Sequence, residues 1–196
     1  MKNGIWLAVP AALVAFAVAA SWGGESVDVL FAPTGDKQLL QREVAESIGS
    51  ARKSVRVAIY QFTSRRIAEA LAASKRRGVD VRVLVDASQA GQDRRYEEAL
   101  QILRDAKVPL RRVRPAGSSG RDASDAFRAK FHHKFCVVDD ARVLTGSYNY
   151  TVLADEENHE NLVLITSRPV ALKYARRFEE IWEDEDILER ESSGEE

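Results

Sequence analysis

The chain alternates between short runs typical of strands and longer runs in which apolar residues have helical spacing. Residues 26–33, SVDVLFAP, alternate apolar and polar positions until a proline ends the run, which predicts a strand. Residues 36–51 space leucine, valine and isoleucine three or four positions apart, which predicts a helix. The alternation continues with strands predicted at 54–62, 79–87, 108–115, 131–140, 142–147 and 161–166, and helices at 64–78, 92–107 and 168–183. Strands that alternate with helices predict an α/β fold, with a mixed, largely parallel β-sheet flanked by helices on both faces.

The same pattern divides the chain into a leader, a domain and a tail. Residues 1–20 contain the apolar run IWLAVPAALVAFAVAA, and its small terminal residues predict a secretory signal peptide or, alternatively, an uncleaved N-terminal anchor. In either case we expect the folded body to work outside the cytoplasm, as an exported (periplasmic or secreted) or membrane-anchored protein. Residues 26–183 form the predicted domain, interrupted by a polar loop at 115–126, and residues 184–196 form an acidic tail.

The distribution of charge changes this picture. The chain has 196 residues and a formal net charge of −1, but residues 179–196 hold ten acidic residues and one arginine. Residues 1–178 therefore keep 28 basic and 20 acidic residues, a net charge of about +8. A basic body favours polyanionic partners such as nucleic acid or anionic lipid.

Several basic clusters contribute to this charge. Each one alone is typical of a solvated face, but together they predict a basic groove for a phosphate backbone. The clusters are Arg65-Arg66, Lys75-Arg76-Arg77, Arg94-Arg95 and Arg111-Arg112-x-Arg114. The single cysteine, Cys136, excludes an intrachain disulfide and a cysteine-rich zinc site.

Charged residues interrupt the apolar strand at 131–140, FHHKFCVVDD. Side chains alternate along a strand, so His132 and Lys134 share one face while His133 points to the other. An imidazole beside a permanent cation provides a nucleophile or proton donor together with a charge that stabilises phosphate oxygens. The pair therefore predicts chemistry on a phosphodiester.

Polar residues after the next two strands complete this candidate site. Gly146 permits close backbone approach, and Ser147 and Asn149 are neutral hydrogen-bonding groups suited to phosphate oxygens. Glu160 precedes the last strand, and its carboxylate is predicted to accept a hydrogen bond from Nδ1 of His132.

The combined pattern resembles the HKD motif of the phospholipase D superfamily. It consists of His132-x-Lys134-x4-Asp139, then Gly146-Ser147-x-Asn149, then Glu160-Asn161. A short chain with one such motif is similar to the Nuc-like bacterial endonucleases, and HHKF and TGSYNYT resemble the mitochondrial cardiolipin hydrolase (Zucchini) branch. The resemblance covers residues 26–183 and implies that this segment is a phospholipase D-like catalytic domain.

The resemblance implies a metal-independent double displacement with no cofactor. One histidine attacks phosphorus to give a phosphohistidine, a second protonates the leaving oxygen, and water hydrolyses the intermediate. It implies catalytic roles for His132, Lys134, Asn149 and Glu160, with Lys134, Ser147 and Asn149 binding the phosphate. Asp139, which alternation places on the opposite face, and Gly146 have structural roles.

Most superfamily members carry two motifs per chain, whereas this chain carries one and has no internal repeat. We therefore expect a homodimer in which both chains contribute to a shared active site. The expected function is that of a non-specific endonuclease that acts on DNA, and RNA is left open as a second substrate. A phospholipid hydrolase of phosphatidylcholine or cardiolipin type is the alternative, although the sequence shows no apolar lip beside the site. A non-catalytic nucleic-acid or membrane-binding module is a further alternative.

Overall fold

A computed structural model describes residues 24–114 and 129–189. The predicted leader at 1–20, the predicted loop at 115–126 and residues 190–196 of the acidic tail lie outside the described residues. Within the two described ranges, no helix is long and apolar enough to cross a membrane.

Seven strands and five α-helices make up the described chain. The strands are Ser26–Ala32 (β1), Ser54–Ile59 (β2), Asp80–Asp86 (β3), Leu110–Val113 (β4), Lys134–Val138 (β5), Arg142–Gly146 (β6) and Glu160–Thr166 (β7). The helices are Leu39–Gly49 (α1), Arg65–Arg76 (α2), Arg94–Asp105 (α3), Val152–Glu156 (α4) and Arg168–Glu183 (α5). The short helix α4 is the one α-helix that the sequence pattern did not predict. The strand predicted at 131–140 begins only at Lys134.

All seven strands form one sheet in the order β1-β7-β6-β5-β2-β3-β4. The β2–β3 and β3–β4 pairs are parallel, and the other four pairs are antiparallel. A mixed sheet is therefore confirmed, but the prediction that it is largely parallel is wrong. Helices of three or more turns separate consecutive strands only in the first half of the chain. In the second half a tight turn joins β5 and β6, which permits only antiparallel pairing, and residues 147–159, with the short helix α4, lead into β7 antiparallel to β6.

Helices cover both faces of the sheet, as predicted. On one face α1, α2 and α3 bury a large apolar cluster that includes Leu40, Leu71, Leu100 and Cys136. On the other face α5 packs Phe178 and its neighbours against β5 and β6. Burial raises the pKa of the Cys136 thiol to about 12, so this cysteine is an inert core residue.

The β5–β6 hairpin turns at Asp139 and Asp140, which both adopt left-handed backbone conformations (φ 54° and 53°). Two consecutive residues of this kind are typical of a two-residue hairpin turn. The Asp139 carboxylate accepts hydrogen bonds from the backbone N–H groups of Arg52 (3.0 Å), Lys53 (2.7 Å) and Ser54 (2.9 Å). Asp139 therefore ties the hairpin to the start of β2, at the end of β5 remote from His132.

Packing continues beyond the predicted domain end at Glu183. Leu188 is buried and forms an antiparallel bridge with Val113 of β4. The Arg114 N–H donates to the Ile187 carbonyl at 2.7 Å, and the Glu189 N–H donates to the Arg112 carbonyl at 2.9 Å. Residues 184–189 therefore belong to the folded domain and extend it along the β4 edge.

Candidate active site

The candidate site lies at the edge of the sheet where β2 and β3 end and β5 begins. The Lys134 Nζ atom lies 3.1 Å from Nε2 of His132. An ammonium group can only donate, so Nε2 accepts and the neutral His132 ring carries its proton on Nδ1. The segment before β5 is not a regular strand, but Tyr60 N–H donates to the His133 carbonyl at 2.9 Å and holds it extended.

Tyr60 forms the floor beneath this pair, and the sequence pattern did not identify it. Its ring packs against the His132 ring at 4.8 Å between centroids. Nζ of Lys134 and Nζ of Lys130 lie 5.3 Å and 5.0 Å from the centroid of the same ring. The signal that could have found Tyr60 is an aromatic residue directly after an aliphatic strand that ends at the site.

Partial burial lowers the pKa of His132, and the charges of Lys134 and Lys130 lower it further. Burial likewise lowers the pKa of Lys134, while the nearby Glu160 carboxylate opposes that effect. The imidazole is therefore largely neutral near pH 7, which is the form required of a nucleophile.

Strand β6 delivers Ser147 to the same edge. Gly146 has φ 142°, and a Cβ atom there would lie 2.3 Å from the carbonyl oxygen of Asn161, so only glycine permits this approach of β6 to β7. The Ser147 hydroxyl donates to the Glu160 carboxylate and accepts from the Asn161 N–H at 3.1 Å. Ser147 and Glu160 are thus brought together, as the sequence motif requires.

The predicted hydrogen bond between Glu160 and His132 is not formed among the described residues of a single chain. Glu160 instead accepts from Ser147 and from Nδ2 of Asn158 at 3.2 Å. The reason is topological: β6 lies between β5 and β7, and two strand spacings of about 4.8 Å separate the two side chains. Glu160 acts electrostatically on Lys134.

Asn149 contributes an unpaired polar group to the site. Its side-chain oxygen is buried and has no hydrogen-bond partner within the described part of the chain. Buried polar atoms normally have a partner, so a free one two residues after Ser147 is suited to a ligand. A side-chain amide can also donate to phosphate oxygens.

The three histidines of the chain have different surroundings. His133 packs edge-on between Phe131 and Phe135, with centroid distances of 5.2 and 5.4 Å, on the face that α5 covers. His159 is exposed in the turn before β7. One chain therefore brings a single imidazole, that of His132, to the site.

The basic clusters do not form one continuous groove. Lys75-Arg76-Arg77 lies at the far end of α2, and the arginine directly after β4, Arg114, is held locally by the Asp186 carbonyl at 2.8 Å. Arg65 and Arg94 begin α2 and α3 at the edge that carries the site. Their pairs with Glu69 and Glu98 are exposed, and such pairs are weak, so phosphate can compete for these arginines.

A pocket of about 260 Å³ is lined by residues that neighbour the site in sequence, although none of the candidate site residues lines it. Gln61 follows Tyr60 directly, and Thr151 ends the loop that carries Ser147 and Asn149. The other polar lining residues include Thr63, Gln89, Gln92 and Arg95. Side-chain amides and hydroxyls both donate and accept hydrogen bonds, as recognition of a base or sugar requires.

An exposed apolar stripe runs along the edge strand β1, and we call Val27, Val29 and Phe31 the β1 stripe. Their exposed fractions are 71%, 43% and 60%. Phe31 pairs with Asn161, and the register places the stripe on the face of the sheet that carries Phe135, opposite the face of Lys134. The stripe is therefore not a lip beside the His132–Lys134 pair, and the sequence does not reveal it because alternation does not tell which face of an edge strand is covered.

Within residues 24–114 and 129–189, no group of three histidine, cysteine, aspartate or glutamate side chains is placed to hold a metal ion.

The site combines a histidine and a lysine at the start of β5 with a serine and an asparagine after β6 and a glutamate at the start of β7. This combination is that of a phospholipase D-like protein. The family model described as "Cardiolipin synthase, PLD-like domain" matches residues 44–182, and the chain belongs to this family.

Individual relatives agree with this assignment. The chain is 36% identical over 138 residues to a mitochondrial cardiolipin hydrolase of Xenopus laevis, covering 69% of this chain and 58% of that protein. It is 31% identical over 137 residues to a phospholipase D of Rickettsia prowazekii, again covering 69% and 58%. The chain thus spans less than two thirds of the length of these curated relatives.

Solved structures share the fold. Nuc from Salmonella typhimurium, a phospholipase D family member, superposes with a TM-score of 0.69 at 29% identity, covering 85% of this chain and 97% of that one. NucT from Helicobacter pylori superposes with a TM-score of 0.71 at 22% identity, covering 84% and 98%. Both neighbours therefore match the described fold over nearly their whole length.

Proposed function

We propose that the chain is a metal-independent phosphodiester hydrolase, acting as a non-specific endonuclease on DNA, with RNA as a further substrate. The observation that carries the proposal is the His132–Lys134 pair, a largely neutral imidazole whose Nε2 lies 3.1 Å from an ammonium group. In this arrangement Lys134, Ser147 and Asn149 bind the non-bridging phosphate oxygens.

The reaction proceeds in two displacements. The Nε2 lone pair of His132 attacks phosphorus, the bond to the leaving oxygen breaks, and a protonated second imidazole gives that oxygen its proton. Water then attacks the phosphohistidine, the second imidazole takes a proton from the water, and the P–N bond breaks to restore His132. Lys134 stabilises the charge that develops on the phosphate in both steps.

The second imidazole comes from another copy of the chain. His133 packs between Phe131 and Phe135, and His159 is an exposed residue of the turn before β7, so we assign only half of the acid–base pair to one chain. Two chains related by a twofold axis bring two His132 side chains to one shared site. Each chain also contributes Lys134, Ser147 and Asn149, and Glu160 holds Ser147 in place.

Two features favour nucleic acid as the substrate. The arginines that begin α2 and α3 lie at the edge of the sheet that carries the site, in weak pairs that a phosphate backbone can displace. The glutamine-containing pocket, whose lining includes Gln61 next to Tyr60, offers donors and acceptors to a base or sugar of a longer substrate.

The second candidate is a phospholipid hydrolase, and the β1 stripe favours it. An exposed apolar strand in the same domain suits contact with the acyl region of a lipid. Relatives named cardiolipin hydrolase and phospholipase D add support for this candidate.

Cleavage assays in EDTA test the proposal, with plasmid DNA and labelled phospholipid vesicles incubated in parallel. We expect DNA cleavage without metal and loss of turnover by several orders of magnitude in His132→Ala, with DNA binding retained. The matched control is His159→Ala, which removes an exposed histidine and should cleave normally. Hydrolysis of lipid alone would instead establish the second candidate, and DNA binding without any turnover would indicate a non-catalytic module.

A further inference from the structure

Asp86, at the end of β3, is a fully buried carboxylate with no part in the proposed double displacement. Burying a carboxylate is costly unless hydrogen bonds or charges compensate it. Its position is next to the candidate site, because β3 is parallel to β2 and both strands end at the edge where Tyr60 lies.

The carboxylate is compensated by three donors. One oxygen, Oδ2, accepts from the Phe131 N–H at 2.6 Å, across 45 residues of chain. The other, Oδ1, accepts from the N–H of Ser88 at 2.9 Å and from the hydroxyl of the same residue. Asp86 therefore joins the end of β3 to the residue that immediately precedes His132.

His132 depends on such anchors because it lies outside the regular ladder, which begins at Lys134. On one side the Phe131 N–H is bound by Asp86, and on the other the His133 carbonyl is bound by the Tyr60 N–H at 2.9 Å. These two bonds fix the backbone on both sides of the reactive imidazole.

We propose that Asp86 is the positioning residue for His132: its hydrogen bond to the Phe131 N–H fixes the backbone of the reactive histidine and keeps a carboxylate near the imidazole. This inference rests on the proposed function, in which His132 is the nucleophile. A shift of about 1 Å in such a group costs on the order of a hundredfold in rate. The benefit of holding His132 in place therefore offsets the cost of burying the Asp86 carboxylate.

The charged groups around His132 give the proposal a measurable signature. Lys134 and Lys130 lower the pKa of His132, in addition to the larger effect of its partial burial, and Asp86 is the group that raises it. The Tyr60 ring, which packs against the imidazole at 4.8 Å between centroids, completes the surroundings. Removing the Asp86 charge therefore lowers the pKa of His132 further.

The test uses the full chain with Asp86→Asn, which keeps an acceptor but removes the charge, and Asp86→Glu, which keeps the charge but moves the carboxylate. Titration of the imidazole signals by NMR is practical because the chain has three histidines, and His132→Ala assigns the relevant one. We expect the His132 titration to move to lower pH in Asp86→Asn and to stay near that of the parent in Asp86→Glu. We expect kcat to fall between about ten- and a hundredfold in both.

Asp155→Asn is the matched control. Asp155 is also a buried carboxylate, and it accepts from the N–H groups of Leu40 at 3.0 Å and Gln41 at 3.1 Å at the start of α1. Its replacement should lower thermal stability and leave the His132 titration unchanged.

Either of two results would overturn the positioning role. The first is a His132 titration and a kcat in folded Asp86→Asn that both equal those of the parent. The second is a kcat in Asp86→Glu that equals that of the parent. Failure of the proposed function looks different: His132→Ala would remain active, while the titration shift in Asp86→Asn would persist.

Discussion

His132 and His133 are neighbours in sequence but lie on opposite faces of the sheet. His132 rests on Tyr60 beside Lys134, whereas His133 packs between two phenylalanines under α5. Alternation along an extended segment produces this separation even though the regular strand begins only at Lys134. One of two chemically identical residues is therefore available for catalysis, and the other is a packing residue.

The pH dependence of cleavage reports on this residue. In the proposed mechanism neutral His132 is the nucleophile, and its pKa lies below the usual value, so the acid limb of kcat/KM should fall below about pH 6.5. Lys130 lowers that pKa, so Lys130→Met should move the acid limb to higher pH. A pH–rate profile measured at constant ionic strength checks both expectations. An unchanged limb in Lys130→Met would show that Lys130 does not act on His132.

Asp139 controls stability at the other end of β5. Burial opposes its ionisation, but the N–H groups of Ser54, Arg52 and Lys53 outweigh burial and hold its pKa below the usual range. Its contribution is therefore present above the unfolded pKa, about 3.9, and is lost as pH falls through the lower folded pKa.

We therefore expect Asp139→Asn to lower the free energy of unfolding at pH 7 by about 1–2 kcal/mol. The difference from the parent should shrink toward pH 3. Urea unfolding at a series of pH values measures this, and a difference independent of pH would contradict the assignment.

At the scale of elements, the edge strand β1 has an unusual composition, because one face of it is apolar and exposed. Exposed apolar edges favour association, so natural proteins usually cover them. The stripe lies on the face of the sheet opposite Lys134, and we propose that the second chain of the homodimer covers it.

Phe31→Glu tests that assignment. A charge in the centre of an apolar interface should shift the dimer toward monomer and reduce cleavage with it, measured by size-exclusion chromatography with light scattering and by plasmid assay. Asp28→Asn, on the opposite face of β1, is the matched control. A dimer unaffected by Phe31→Glu, with loss of vesicle binding, would assign the stripe to lipid instead.

At the scale of the whole molecule, the proposed mechanism requires two chains for one reaction. Both His132 residues of a dimer share one substrate, and while one is phosphorylated the other serves as acid and then base. Acid-quenched intermediates should therefore contain at most one phosphohistidine for every two chains. Mass spectrometry of the quenched protein measures this ratio, and two phosphohistidines per dimer, or an active monomer, would exclude the shared site.

Much of the fold follows from local pattern. Apolar periodicity located all seven strands and four of the five α-helices, since those elements bury one face along their length. The sequence predicted too many parallel strand pairs. The direction of a strand depends on how β5, β6 and β7 connect and not on the composition of each strand. Periodicity also missed α4, which has five residues and is too short to show a helical repeat.

Part of the candidate site could be predicted from the sequence. His132, Lys134, Ser147 and Glu160 form a motif whose spacing reflects strand alternation, so the sequence alone identifies them as candidate site residues. Tyr60 and Asp86 belong to no such motif. Each lies at the end of an apolar strand, and only the folded chain shows its contact with the His132 segment.

The sequence by itself determined which residue types can act on a phosphate and on which face of a strand they lie, because alternation is a local property of the chain. Only the tertiary structure decided that Glu160 binds Ser147 and not His132, that Asp86 anchors the reactive segment, and that β1 exposes an apolar face. These depend on strand order and on which surfaces helices cover, and both are set by contacts between residues far apart in sequence.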